Sequence, residues 1–136
     1  MMVSTKGRYA LRVMLDLCQH QKEGYISLKT IGERQDISVK YLEMIVSILS
    51  KAGLVRSMRG KEGGYCLARR PAEYNVGEIL TLTEGSLAPV ACVECGGDVC
   101  QRAEVCLTLP LWRRLDGLID GYLKSVSLED LLQGRV

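Results

Sequence analysis

Phenylalanine is absent from this 136-residue chain, and tryptophan and histidine occur once each. With 47% apolar residues there is still enough material for a core. That core must be aliphatic, built from Leu, Ile, Val and Met. The single histidine, His20, has no second imidazole to work with. The chain also lacks a nucleophile–base arrangement and a phosphate-cradling glycine loop, so it does not read as an enzyme. No apolar run approaches the ~18–20 residues that cross a bilayer, so no membrane partner is expected. The N-terminal "MMVSTKGRYALRVMLDL" has no small-residue cleavage site, and Arg8, Arg12 and Asp16 interrupt its apolar positions; it is no signal peptide. A cytoplasmic setting is the expectation, and thiols stay reduced there. Internal repeats and low-complexity segments are missing too.

What is present is unevenly charged. Residues 1–70 carry 13 Lys/Arg against 6 Asp/Glu, while residues 71–136 carry 5 against 10. The net charge of +2 therefore conceals a front half at +7 and a back half at −5. A basic front half suits a polyanionic partner such as nucleic acid.

Apolar periodicity divides that front half. Ala10, Val13, Met14 and Leu17 recur at helical spacing over residues 4–20, with Ser4 or Thr5 as the cap and Gly24 as the break. Ser27 caps a short helix, "LKTIGER", with Leu28 and Ile31 inward. "QDI" is a tight connection, and Ser38 caps a third helix, "VKYLEMIVSILSKA", which ends at Gly53. Two short helices and a three-residue turn make a helix-turn-helix candidate. Next, the runs Leu54–Met58 and Tyr65–Ala68 flank Gly60, Gly63 and Gly64 as a hairpin bearing Arg56, Arg59 and Lys61. A basic hairpin directly after a helix-turn-helix is the order of a winged helix.

The fold expected is mainly α with a small β-hairpin: a winged helix-turn-helix plus a long C-terminal dimerisation helix. Asn75 opens a further helix, with Glu78 in capping-box spacing, running to Gly85. Pro110 suits the first turn of a long helix to about Val126. Leu111, Trp112, Leu115, Leu118, Ile119, Tyr122, Leu123 and Val126 give it an apolar face too long for so small a domain. Pairing with a second chain is the expected use of Leu111, Leu115, Leu118, Ile119 and Tyr122, an intrachain core helix being the alternative. Ser127 and Asp130 start a last short helix. The organisation expected is a DNA-binding domain at 1–84, a cysteine-rich loop at 85–109, and a dimerisation helix with its tail at 110–136.

A recognition helix presents its N-terminal residues to base edges in the major groove of double-stranded DNA. Opposite the Leu42/Ile45/Leu49 stripe stand Ser38, Lys40, Tyr41, Glu43, Met44 and Ser47. Lys40 can neutralise phosphate or donate to guanine, and Ser38 and Tyr41 can donate to phosphate oxygens. Glu43 costs energy near phosphates unless it accepts from cytosine N4, which would make it a specificity residue. The plainer alternative is a solvated partner of Lys40 or Ser47. Arg59 and Lys61 on the hairpin would follow the backbone or enter the minor groove, and Gly60 at its tip allows close approach.

"CVECGGDVCQRAEVC" at 92–106 holds four of the six cysteines: Cys92, Cys95, Cys100 and Cys106. Sulfur donors at these spacings suit an iron–sulfur cluster or zinc. Structural zinc usually takes two CxxC pairs and only Cys92/Cys95 forms one; a metal-free thiol switch is the third option. Cys18 and Cys66 read as small packed hydrophobes, and His20 as a helix-end residue. A small iron–sulfur electron carrier would account for the loop but leave the basic front half unexplained.

"STKGRYALRVMLDL", "ISVKYLEMIVSILSKAGLVRSMRG", "GGYCLAR", the late "LW" and "SLEDLL" resemble the bacterial winged-helix regulators typified by IscR, NsrR, RirA and CymR. The resemblance covers nearly the whole chain in order. It implies a homodimeric transcription regulator on a pseudo-palindromic operator, with the C-terminal helices crossing between subunits. In the iron–sulfur branch, three cysteines before that helix hold a cluster, [2Fe–2S] or [4Fe–4S], that senses iron, nitric oxide or oxidants. Cys92, Cys100 and Cys106 match that pattern, separated by seven and five residues. Cys95 has no counterpart in it and stands as a candidate fourth ligand. The histidine ligand of IscR-like members is replaced by Leu109. Where NsrR-like members borrow a carboxylate from the partner's first helix, this chain has Arg8 nearby and Asp16 as that helix's only acid.

Overall fold

Side-chain caps start the helices where the sequence places them. The computed structural model describes residues 3–94 and 100–136. Helices α1 (Thr5–Gln19), α2 (Leu28–Gln35) and α3 (Val39–Lys51) lead into strands β1 (Val55–Met58) and β2 (Gly64–Leu67). Helices α4 (Val76–Glu84), α5 (Leu109–Ser125) and α6 (Leu128–Gln133) follow. Ser4, Ser27, Ser38, Asn75 and Ser127 each accept a main-chain N–H from three residues on, which satisfies a donor the first turn leaves unpaired. Among the described residues no helix is long and apolar enough to cross a membrane.

The turn between α2 and α3 is made by Asp36, which ends α2 in the left-handed region at φ 55°. The strands pair antiparallel, Val55 opposite Leu67 and Met58 opposite Gly64. Only Val55 of β1 is buried, so the hairpin projects into solvent from a base on the core. Its second strand runs tightly against the segment before α2, where Tyr65 and Ile26 exchange main-chain hydrogen bonds at 2.8 and 2.9 Å. A Cβ on Gly64 would lie 2.2 Å from the Ile26 carbonyl oxygen, so that approach requires glycine. The chain is thus mainly helical, with a helix-turn-helix and a basic wing.

The core is aliphatic, as the missing phenylalanine dictates. Val13, Met14 and Leu17 of α1 meet Ile31, Leu42, Ile45, Leu49, Leu54 and Ile79. Tyr74 is the one fully buried aromatic among the described residues. Its hydroxyl donates to the Leu54 carbonyl at 2.6 Å and accepts from the N–H groups of Ala68 (3.0 Å) and Arg69 (2.9 Å). It therefore ties both strands' inner ends together. Asp16 is also fully buried, and Arg34 (2.7 and 3.0 Å) and Gln35 (2.9 Å) bond its carboxylate, fixing α1 to α2.

After α5 the chain returns to the core. The Val76 N–H donates to the Val126 carbonyl at 2.8 Å, and Leu128 is fully buried beside Tyr74 and Ile79. Val126 packs against Val76 and Leu80, so the apolar face expected along α5 ends inside the protomer. Glu78 differs from the expected capping box as well: its carboxylate takes both Arg69 guanidinium nitrogens, at 3.0 and 3.1 Å.

Candidate functional site

Ser38 opens α3, its Oγ accepting the Tyr41 N–H at 3.2 Å, which leaves the hydroxyl proton free to donate outward. Lys40, Glu43, Met44 and Ser47 lie exposed along the next turns, opposite the buried Leu42, Ile45 and Leu49. Tyr41 is half-buried and held edge-on by the Tyr9 ring, 5.6 Å between centroids. Arg12 covers Tyr9 at 5.1 Å and bonds the Gln35 carbonyl and side chain. Sequence reading missed this Arg12–Tyr9–Tyr41 stack, because Tyr9 and Arg12 lie on α1 and Tyr41 on α3, and only packing brings the two helices together.

The wing residues Arg59, Gly60 and Lys61 are all exposed, with Gly60 at φ 112° forming the tip. Lys61 shares a cavity with Ser27 and Thr30 at the start of α2, which places the tip beside the helix-turn-helix.

The thiols stand at the other end of the chain. Cys92 and Cys100 are exposed, Cys106 half-buried, and the three line one small cavity with Ala103, Thr108, Leu109 and Trp112. Among the described residues no three potential metal ligands are gathered into a common site, so any shared centre would draw the loop inward. Cys95 lies outside the described residues. Cys106 precedes α5, and its Sγ lies 3.2 Å from Thr108 Oγ1. The Thr108 hydroxyl first, then the main-chain N–H groups of Thr108 and Leu109, stabilise its thiolate and hold its pKa below the usual thiol value. Cys18 is the opposite case, buried in the core and pushed up to about 12 by desolvation. Thr108 and Trp112 were not singled out as site residues. The one available signal was a hydroxyl residue two places after the last cysteine.

The segment that precedes the loop is anchored to the start of the chain. Glu84, the last residue of α4, accepts from the Ser4 N–H (3.0 Å) and Oγ (2.6 Å), at the start of α1. Asp16 is consumed by Arg34 and Gln35, which leaves α1 no free carboxylate. His20 closes α1, its Nδ1 donating to the Asp16 carbonyl at 2.8 Å.

The outward side of α5 is apolar: Leu111 is 57%, Leu115 37%, Leu118 55% and Tyr122 56% exposed. Ile119 is half-buried. Beyond the helix start, Val105 and Leu107 extend the exposed apolar surface. Exposed apolar side chains gathered on one helix face are the kind of surface on which proteins associate.

Comparison with known proteins is consistent across sequence and structure. The family model Rrf2, described as an iron-dependent transcriptional regulator, matches residues 3–134. The HTH-type transcriptional regulator IscR of Photorhabdus laumondii is 43% identical over 135 residues, 99% of this chain and 81% of that one. The IscR structure from T. potens is 38% identical, with a TM-score of 0.77 over 100% of this chain and 89% of that one. CymR of B. subtilis, described as its global cysteine regulator, is 38% identical, with a TM-score of 0.79 over 96% of this chain and 95% of that one.

Proposed function

The chain belongs to the Rrf2 family of DNA-binding transcription regulators, and we propose that it acts as a homodimer whose operator binding is controlled by an iron–sulfur cluster. The observation that carries the sensing half of this reading is the single cavity lined by Cys92, Cys100 and Cys106 at the foot of α5. Its donors are soft thiols in otherwise apolar surroundings, which fits iron–sulfur ligation. When bound, the cluster would supply a centre that is lost or changes charge with iron supply or oxidants. The chain's own residues do the rest. Cys92 and Cys100 would hold the cluster together with Cys106, whose sulfur Thr108 already contacts. Because Glu84 bonds Ser4, the cap of α1, a change at the end of α4 would reach the helix that supports Tyr41 and the helix-turn-helix.

On DNA, Arg59 and Lys61 neutralise phosphates, with Gly60 allowing the wing close approach. Lys40, Ser38 and Tyr41 address the backbone and groove, and Glu43 accepts from cytosine. The exposed leucines of α5 pair the protomers and set the spacing of the two α3 helices on a pseudo-palindromic site.

The test is anaerobic reconstitution of the wild type and of Cys→Ser variants at 92, 95, 100 and 106. Iron and sulfide content, visible spectra and operator gel shifts are then compared. Loss of the cluster and of its effect on operator binding in the 92, 100 and 106 variants is expected. A Cys95→Ser protein with wild-type content would make Cys95 a bystander. Recovery of zinc alone from every anaerobic preparation would refute the iron–sulfur reading and leave a structural-zinc DNA-binding module.

A further inference from the structure

Helix α5 begins differently from every other α-helix described here. The other five are capped by Ser or Asn side chains, each accepting an N–H of the first turn. Thr108 immediately precedes α5, yet its hydroxyl caps nothing. It turns instead to Cys106, whose Sγ is 3.2 Å away. That sulfur lines the thiol cavity immediately before the helix that bears the exposed apolar face.

We infer that Thr108 is a positioning residue of the cluster centre, its hydroxyl donating to the Cys106 thiolate and so fixing that ligand's direction and tuning the cluster's reduction potential. The inference rests on the iron–sulfur reading of the cavity. A metal-bound sulfur has no proton to give, so in the ligated state the hydroxyl is the only possible donor of this pair. A hydrogen bond to a ligand sulfur withdraws electron density from iron and stabilises the more negative reduced cluster, which raises its potential. The bond also fixes the Cys106 side chain, so the ligand stays aimed at the cavity.

Two substitutions separate the hydroxyl from the side chain's bulk. Thr108→Val keeps the volume and loses the donor; Thr108→Ser keeps the donor. Wild type and both variants are reconstituted anaerobically and reduced by one electron per cluster with dithionite during spectroelectrochemical titration. Trp112, the only tryptophan, lines the same cavity and reports cluster uptake by fluorescence quenching without any DNA. Thr108→Val should have a lower midpoint potential than wild type or take up less cluster, and Thr108→Ser should match wild type. Equal potentials and uptake in all three proteins would overturn the role of Thr108 while leaving the cluster in place. So would an equal change in both variants, which would assign the effect to packing rather than to the donor.

If the wild type takes up no iron and sulfide, the cluster reading itself has failed. The three proteins are then titrated with cobalt(II), and the thiolate-to-cobalt charge-transfer band is compared. A red-shifted band in Thr108→Val alone upholds the donor to Cys106. Identical bands, or no binding by any protein, overturn it.

Discussion

Replacing Tyr74 by Phe removes one oxygen atom from a ring that is 1% exposed, and the structure says what that atom does. It donates to the Leu54 carbonyl and accepts from the N–H groups of Ala68 and Arg69. Ala68 retains a long 3.4 Å contact with the Leu54 carbonyl, so those two groups keep part of their pairing. The Arg69 N–H does not. An orphaned buried group costs roughly 1–3 kcal/mol, and the partial losses at the other two add to that, giving about 2–3 kcal/mol in all. For a chain of this size that corresponds to a fall in Tm of roughly 6–15 °C. Arg69 stays over the ring and paired with Glu78, so the packing around the site should survive. Because the hydroxyl clamps the base of the wing, operator affinity should fall at temperatures below the unfolding transition. Thermal and urea unfolding by circular dichroism, with gel shifts at 25 °C, measure both. There is a pH signature as well. Burial raises the Tyr74 pKa, so its contribution is full below the unfolded value of about 10 and is lost as pH rises toward the folded one. Wild type should therefore lose stability more steeply than Tyr74→Phe above about pH 10. A variant melting within a degree of wild type, with the same alkaline slope, would refute the bridging role.

Further outcomes follow from the other surfaces. Leu115→Asp with Leu118→Asp should sediment as a monomer and lose operator affinity while its circular dichroism stays native; a monomeric wild type at micromolar concentration would remove the dimer from the reading. Arg59→Ala and Lys61→Ala should weaken binding to all DNA and reduce the salt dependence by about one unit of slope per lost phosphate contact. Glu43→Ala should instead relax base preference at one position by about tenfold, as competition with substituted operators would reveal; equal losses on operator and random DNA would deny it a specificity role. Asp16→Ala strips a fully buried carboxylate from Arg34. It should cost about 3 kcal/mol in urea unfolding, near the low end for a broken buried pair because Arg34 keeps some solvent.

The sequence by itself determined the elements. Ser4, Ser27, Ser38, Asn75 and Ser127 start their helices as the capping rules predict, because a cap acts over three residues and needs no tertiary context. The stripe of Ala10, Val13, Met14 and Leu17 is buried for the same local reason, and the wing is visible in its glycines and its charge. The cysteine spacing was legible too, since it is a property of the chain alone. Only the tertiary structure decided what lies across from what. Tyr9 and Arg12 read as an ordinary helix face until α3 comes alongside and Tyr41 meets the ring. Glu78 satisfied a capping rule on paper, but Arg69 offered its carboxylate two charged donors in place of one main-chain N–H. Val126 looked like the end of an exposed face, and the return of the chain to α4 buried it. Thr108 was an unremarked residue near a cysteine, and only the structure turns its hydroxyl back to the Cys106 sulfur instead of capping α5. Periodicity and caps are short-range and are written along the chain. The partners of a charge, a ring or a thiol are chosen by packing, which brings residues far apart in sequence within hydrogen-bonding reach.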